Sequence, residues 1–331
     1  MLTIHEFDLT EAAYNAIVAI WNANWPDRPV TVAAWQRTAM QRNPTYAYAR
    51  FVVKQNERII AYGGYEEPVW SAGTGAYVLF YEVDPAHDNN EIHGLLCQHI
   101  TQRLASLPGA TKLITANLRE DKPAKIAFLL SNGFQQVMRH PIARLDVAAF
   151  EVSRYAAALA RVQAAGIVIR PLSELQSFDP EWQSHLWMLD NAAFQTMPTV
   201  AEITERPYAE YRKRFAEPGF TPAAWMIATA QTNTDPVGPY VGMSTLWPDA
   251  NDATRLWQGF TGVDPAYRRR GIATALKVHT IHYARRQGVK YIVTENAEGN
   301  PMVQINLQLG FAPQPAWVNL EKYFLEEKNH V

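Results

Sequence analysis

Between Val263 and Ala273 the chain reads V-D-P-A-Y-R-R-R-G-I-A: a strand passes through Asp-Pro into three arginines and a glycine that opens a helix. The chemistry this composition suits is the holding of a phosphate. Glycine at 271 has no side chain to block close approach, and the first N–H groups of a helix have no partners of their own. The helix dipole attracts the same anion, while Arg268, Arg269 and Arg270 can supply charge-assisted hydrogen bonds. A solvated basic helix start is the competing reading of the same residues. A Walker loop is disfavoured because no G-K-[ST] follows, and a dinucleotide fingerprint because the glycine triplet is missing.

Other residues invite chemistry less strongly. His279 and His282 lie three apart on the following helix, but no third ligand is apparent, so no metal site is expected. Trp182, Trp187, Trp225, Trp247 and Trp257 crowd one half of the chain; most read as core, with one or two free to wall a pocket. Glu202, Glu205 and Glu210 could draw in a cationic amine, though an exposed acidic helix face is the more ordinary explanation. The single cysteine, Cys97, excludes an internal disulfide and a cysteine-rich zinc site and reads as a buried helical residue.

The elements that must position these residues come in two copies. V-D-P-A occurs at Val83 and again at Val263, an offset of 180, and S-N-G-F around Gly133 corresponds to L-G-F at Gly310, an offset of 177. A duplicated unit of strands and helices explains this register. Upstream, Ile4 stands opposite Ile169, an offset of 165, so the second copy has gained about fifteen residues before its Val-Asp-Pro segment. In that copy the pattern predicts a strand at Ile167 to Pro171 and helices at Glu181 to Ala193 and Thr199 to Phe215. Strands follow near Ala224 to Ala230, Tyr240 to Leu246 and Arg255 to Val263. A helix then runs from Gly271 to Gln287, stopped by Gly288. The copy ends with a strand at Tyr291 to Thr294, a helix from Pro301 to Leu309 and a closing strand near Trp317 to Phe324. The alanine-rich stretch Phe150 to Ala165 reads as a helix joining the copies, which sets domains at 1–150 and 167–331 with a linker helix at 151–166.

R-R-R-G-I-A, from Arg268 to Ala273, resembles the [QR]-x-x-G-x-[GA] acyl-CoA signature of the GCN5-related N-acetyltransferases, preceded by V-D-P. T-E-N-A-E-G-N-P-M-V-Q-I-N-L-Q-L-G-F, from Thr294 to Phe311, is similar to the second half of that fold, particularly in tandem members of the mycothiol-synthase-like group. The resemblance implies an α/β protein of two tandem GNAT-like domains, each a mixed, mostly antiparallel sheet flanked by helices. It implies direct transfer of acetyl from acetyl-CoA to an amine, with the pantetheine between splayed fourth and fifth strands. Backbone groups near Val263 would then hold the acetyl carbonyl, and Arg268, Arg269, Arg270, Gly271, Ile272, Ala273 and Asn300 would form the cofactor-binding set. Many relatives carry a tyrosine four residues before the glycine of L-G-F, to protonate the departing thiolate. This chain has Asn306 there, which can polarise or bind the sulfur but cannot act as an acid; Tyr323 is a distant substitute. Glu295 is the candidate base, with a solvated loop carboxylate as its competing reading. Gln258 stands where relatives often place a glutamate and could position a water.

In the first copy Arg268, Gly271 and Ala273 are matched by Asp88, Glu91 and His93. Two carboxylates and a bulky ring oppose a polyphosphate, so this copy is expected to be a scaffold without a cofactor. The 331 residues are 48% hydrophobic and 19% charged, enough apolar surface for two modest cores. A formal charge of -2 gives no basic field for nucleic acid or an anionic membrane, and no apolar run approaches the ~20 residues of a membrane span. The expectation is a cytoplasmic N-acetyltransferase acting on a small-molecule amine or exposed amino group, a monomer whose copies form an internal pseudo-dimer. A non-catalytic acyl-CoA sensor or interaction module is the alternative.

Overall fold

A computed structural model describes residues 1–195, 202–231, 237–249 and 252–324. The chain order is β1 (Leu2–Glu6), α1 (Glu11–Asn24), α2 (Val32–Gln41), β2 (Tyr48–Gln55), β3 (Arg58–Glu66), β4 (Ala76–Val83), α3 (Asn90–Ala105), β5 (Lys112–Thr115), α4 (Pro123–Ser131) and β6 (Gln135–Asp146). The order repeats after α5 (Ala156–Ala164): β7 (Ile167–Pro171), α6 (Leu172–Leu175), α7 (Trp182–Phe194), α8 (Tyr208–Arg212), β8 (Trp225–Ala230), β9 (Tyr240–Pro248), β10 (Arg255–Val263), α9 (Ile272–Arg286), β11 (Tyr291–Glu295), α10 (Pro301–Gln308) and β12 (Ala312–Tyr323). No described helix is long and apolar enough to cross a membrane.

Two compact units result, and each is built on the same six-stranded plan. The first unit comprises Met1–Arg139 and the chain from Pro315; the second runs from His140 to Gln314 apart from a short segment ending at Thr204. In the first, β1, β2, β3 and β4 are antiparallel neighbours, β4 pairs with β5 in parallel, and β12 closes the sheet antiparallel to β5, with Glu321 opposite Ile114. In the second, β7, β8, β9 and β10 are antiparallel, β10 pairs with β11 in parallel, and β6 closes the sheet, with Leu145 opposite Ile292.

The closing strands are therefore exchanged, and this differs from the domains read at 1–150 and 167–331. Val318 and Leu320 of β12 enter the core of the first unit with Leu96, Ile100 and Leu113. Ala143, Leu145, Val147 and Phe150 enter the core of the second with Trp225, Met243 and Ile281. The physical reason is that a strand's apolar face specifies burial but not which sheet edge receives it. The linker at 151–166 also falls inside the second unit: a 3₁₀ turn at Val152–Tyr155 precedes α5, whose Val162 is buried. Arg285, at the end of α9, donates to the carbonyls of Val147 and Phe150 and so fixes the chain that leaves β6.

Local chemistry accounts for most element boundaries. Thr10, Thr31, Asn89 and Asn300 cap α1, α2, α3 and α10 with side-chain oxygens, and Gly288 stops α9 at φ +70°. The helix expected at Thr199 to Phe215 is shorter. Part of it lies outside the described residues, and α8 begins only after Pro207 and passes into a 3₁₀ turn at Lys213–Ala216.

Candidate functional site

β10 and β11 pair at three positions only, the last being Trp257 opposite Val293, and then part. β11 stays paired with β6 as far as Glu295, so the divergence belongs to β10. A register shift on β9 between Gln258 and Thr261 bends β10 there. The bend depends on glycine: a Cβ on Gly259 would lie 2.4 Å from Thr245 Oγ1, and one on Gly262 would lie 2.4 Å from the Phe260 ring and 2.8 Å from Ala193 Cβ. Gln258, 7% exposed, holds the bend from inside; its Nε2 donates to Thr245 O at 2.7 Å and Ser244 Oγ at 3.1 Å. Its Oε1 is buried with no partner among the described residues. The amide expected to position water is thus first a clamp on the bulge.

The cradle follows at once. Asp264 accepts from Ala266 N–H at 2.8 Å and shapes a 3₁₀ turn at Pro265–Tyr267. Arg269 and Gly271 take left-handed conformations, φ +61° and +82°. Gly271 caps α9 without any side-chain acceptor, and the first helical bond runs from Ala275 N–H to Gly271 O at 3.0 Å. The N–H groups of Arg270, Gly271, Ile272 and Ala273 therefore meet no acceptor among the described residues. This is a concave array of donors at a helix N-terminus, the arrangement that receives a pyrophosphate.

The arginines divide the work differently from the sequence expectation. Arg268 Nε donates to Val263 O at 3.0 Å, and Arg270 Nη2 donates to Ala266 O at 3.0 Å while lying over the Tyr267 ring. These two brace the loop. Arg269 is exposed and makes no side-chain hydrogen bond among the described residues. Ile272 is buried in the core beneath the cradle, with Val263, Val241 and Val162.

Of the other residues singled out, Asn300 Oδ1 accepts from Met302 N–H at 2.9 Å, so its side chain caps α10. Asn306 is 2% exposed; its Nδ2 donates to Asn296 Oδ1 at 2.6 Å, and its own Oδ1 is buried without a partner. Glu295 is exposed at the end of β11. Tyr323, the distant substitute, lies on β12, where it pairs with Lys112 in the first unit. Among the acidic residues, Glu202 and Glu205 are exposed and precede α8, and Glu210 pairs with Lys213 at 2.8 Å. Among the described residues no group of three or more His, Cys, Asp or Glu could hold a metal ion.

Beside the bend lies an aromatic wall. Phe260 stands 6.3 Å from Phe194, and the Arg206 guanidinium lies 5.6 Å from the Phe194 ring. Asp190, buried on α7, faces both Arg206 and Arg214, at 3.5 Å and 3.6 Å; burial raises its pKa against the pull of these cations. Trp225 is fully buried and packs on Trp247, as core, while Trp257 Nε1 is bound to Asp249 Oδ2 at 2.7 Å.

Sequence reasoning passed over Lys277. It sits on α9, 1% exposed, with its Nζ 5.8 Å from the Phe311 ring and no carboxylate partner among the described residues; burial pushes its pKa down to about 7. A signal was present, since Lys277 shares a helix face with Ile281 and Ala284 at the four- and seven-residue spacings of a core stripe.

The first unit presents the same turn without the cradle. Asp84 caps Ala86 as Asp264 caps Ala266. There, however, α3 starts two residues early, its Ile92 N–H is taken by the Asn89 side chain at 3.1 Å, and Asp88 holds His93 Nε2 at 2.5 Å. One of the helix's first N–H groups is thus taken by the Asn89 side chain.

The geometry agrees with comparisons across known proteins. The acetyltransferase (GNAT) family profile matches residues 10–134 and 186–311. A mycothiol acetyltransferase of Rhodococcus erythropolis is 31% identical over 110 residues, 33% of this chain and 36% of that protein. One of Nocardia farcinica is 29% identical over 150 residues, 45% of this chain and 46% of that protein. The matched stretch thus spans less than half the length of either curated relative. A tandem GNAT protein from the clavulanic acid biosynthesis pathway superposes with a TM-score of 0.70 over 98% of both chains at 16% identity, a likeness of fold alone. With the profile matching once in each half, the chain belongs to the GNAT acetyltransferase family.

Proposed function

We propose that the second unit transfers acetyl from acetyl-CoA to a primary amine, of a small molecule or an exposed amino group, directly and with both substrates bound together. The observation that carries this reading is the uncapped start of α9 at Gly271, set beside strands β10 and β11 that part at Trp257. The curated relatives are described as mycothiol acetyltransferases, which supports a small-molecule acceptor. Acetyl-CoA would supply the activated thioester, its pyrophosphate on the donors from Arg270 to Ala273 and its outer phosphates near Arg269.

The chain's own residues then have three tasks. Gln258 and the glycines at 259 and 262 keep β10 bent, which leaves the acceptor a path beside Phe260 and Phe194. A free alkylamine has a pKa of about 10, so the attacking amine must lose a proton. Glu295, exposed at the mouth of the parted strands, is the candidate to take that proton through water. Asn306 can stabilise the departing sulfur only through its amide, because it has no acidic proton.

That absence favours a second reading, a non-catalytic acyl-CoA sensor. A panel of amines mixed with acetyl-CoA, with thiol release followed, separates the two. Acetylation of at least one amine, with CoA released in equal amount, is the expected result. Tight CoA binding with no turnover across the panel would overturn catalysis.

A further inference from the structure

In the first unit β4 and β5 pair from Ala76 to Leu79 and then part, and a cavity of about 250 Å³ lies beyond the last pair. It has room for roughly eight waters, or a ligand on the order of ten heavy atoms. It is the counterpart, within this unit, of the gap that β10 and β11 open in the other. Lys125, one of its lining residues, donates from Nζ to Tyr81 O at 2.6 Å.

The chamber is lined by charges of both signs, Glu82, Asp88 and Asp121 with Lys122 and Lys125. At one end Glu82 is 3% exposed; its Oε1 accepts from Trp25 Nε1 at 3.0 Å and lies 3.4 Å from Lys125 Nζ. No described residue donates to its Oε2. Asp88 gives one oxygen to His93 and is half exposed. At the other end α4 begins at Pro123 with no side-chain cap, so the N–H groups of Ala124 and Lys125 meet no acceptor among the described residues. Lys122 lies there, its Nζ 5.4 Å from the Trp25 ring and without a carboxylate partner among the described residues. A buried ion pair such as Glu82 with Lys125 adds little stability over apolar packing. Here both partners of the pair line the chamber.

We propose that this chamber binds a small zwitterion of the α-amino acid type, its carboxylate on Lys122 and the start of α4, its ammonium against Glu82 and Asp88. Trp25, held between these ends, forms the apolar wall. The site is separate from acetyl transfer in the second unit and does not depend on it.

Calorimetry on the intact protein tests this with L-alanine and L-glutamine as probes, and with propionate and ethylamine as the two halves. The expected result is one site for an amino acid, at least about tenfold tighter than for either half, since each end contributes a charge-assisted bond. Lys122→Ala should weaken it about tenfold or more while leaving acetyl-CoA affinity unchanged, and Gly271→Glu should leave it intact. Absence of binding by both amino acids at millimolar concentration would overturn the proposal. So would ethylamine or propionate binding as tightly as alanine, or an amino-acid affinity that Lys122→Ala leaves unchanged and Gly271→Glu removes.

Discussion

Lys277 carries a cost that its neighbours do not repay. Unfolded, a lysine keeps its proton up to about pH 10.4; folded, burial lowers this one to about 7. Between those values folding releases a proton, so stability rises with pH across the window. Below about pH 7 the full penalty applies, and above about pH 10.4 it vanishes. Lys277→Met, close in volume, is expected to stabilise the protein by a few kcal/mol at neutral pH. Denaturant titrations at pH 6, 8 and 10 should show that gain shrinking as pH rises; a gain independent of pH would mean the ammonium is not the source. At Gly271 the cost runs the other way. Its φ of +82° opposes any side chain, so Gly271→Ala should lose about 1 kcal/mol and weaken acetyl-CoA binding, and Gly271→Glu should abolish that binding. Full affinity in Gly271→Glu would show that phosphate does not sit there. The turn and the helix that Gly271 opens were legible because their signal is local: a glycine, a helix start and a helix-stopping Gly288. The jobs of Gln258, Asn300 and Arg268 were not, because a side chain that clamps a bulge, caps a helix or braces a loop looks the same in sequence as one that meets a ligand.

At the scale of elements, the bend in β10 is what makes a site out of a sheet. Gly259 is one of its two tightest points, with Thr245 Oγ1 and the Trp247 ring both under 3 Å from where a Cβ would stand. Gly259→Ala is therefore expected to destabilise by about 1–3 kcal/mol, as overpacking does, and to lower kcat more than acetyl-CoA affinity, since the cradle lies beyond the bend. Equal losses in both would mean that bend and cradle act as one piece. Strand and helix positions in the second copy were legible wherever periodicity and stop signals agreed. β10 lies where it was expected, and α9 and α10 start or stop within about one residue of expectation. The stretch before α8 was not legible, because its charged, helix-favouring composition hides Pro207, after which the helix begins. The partner of a strand was not legible either. β6 and β12 each read as the closing strand of their own copy, and nothing in their alternation says that they are traded.

That trade decides how the whole molecule can be divided. Each sheet is completed by a strand of the same chain, so neither unit needs a second copy to finish it, and light scattering is expected to give the mass of one chain. A fragment of residues 167–331 keeps the cradle but loses Leu145, Val147 and Phe150, all buried in the core of the second unit. At about 1.5–3 kcal/mol for each large apolar side chain, that loss rivals the 5–15 kcal/mol by which a domain is stable at all. It also bares the edge of β11, a template for aggregation. A fragment of residues 140–314 is shorter at its C-terminus, yet it retains β7, β8, β9, β10 and β11 whole and the part of β6, Ile142 to Asp146, that pairs with β11. It is therefore expected to fold and bind acetyl-CoA with near-native affinity, while residues 167–331 are expected to be insoluble or not to bind. Circular dichroism melts and calorimetry on the two fragments make the comparison. If 167–331 folds and binds while 140–314 does not, the closing strand of the second unit is not β6, and the exchange is wrong.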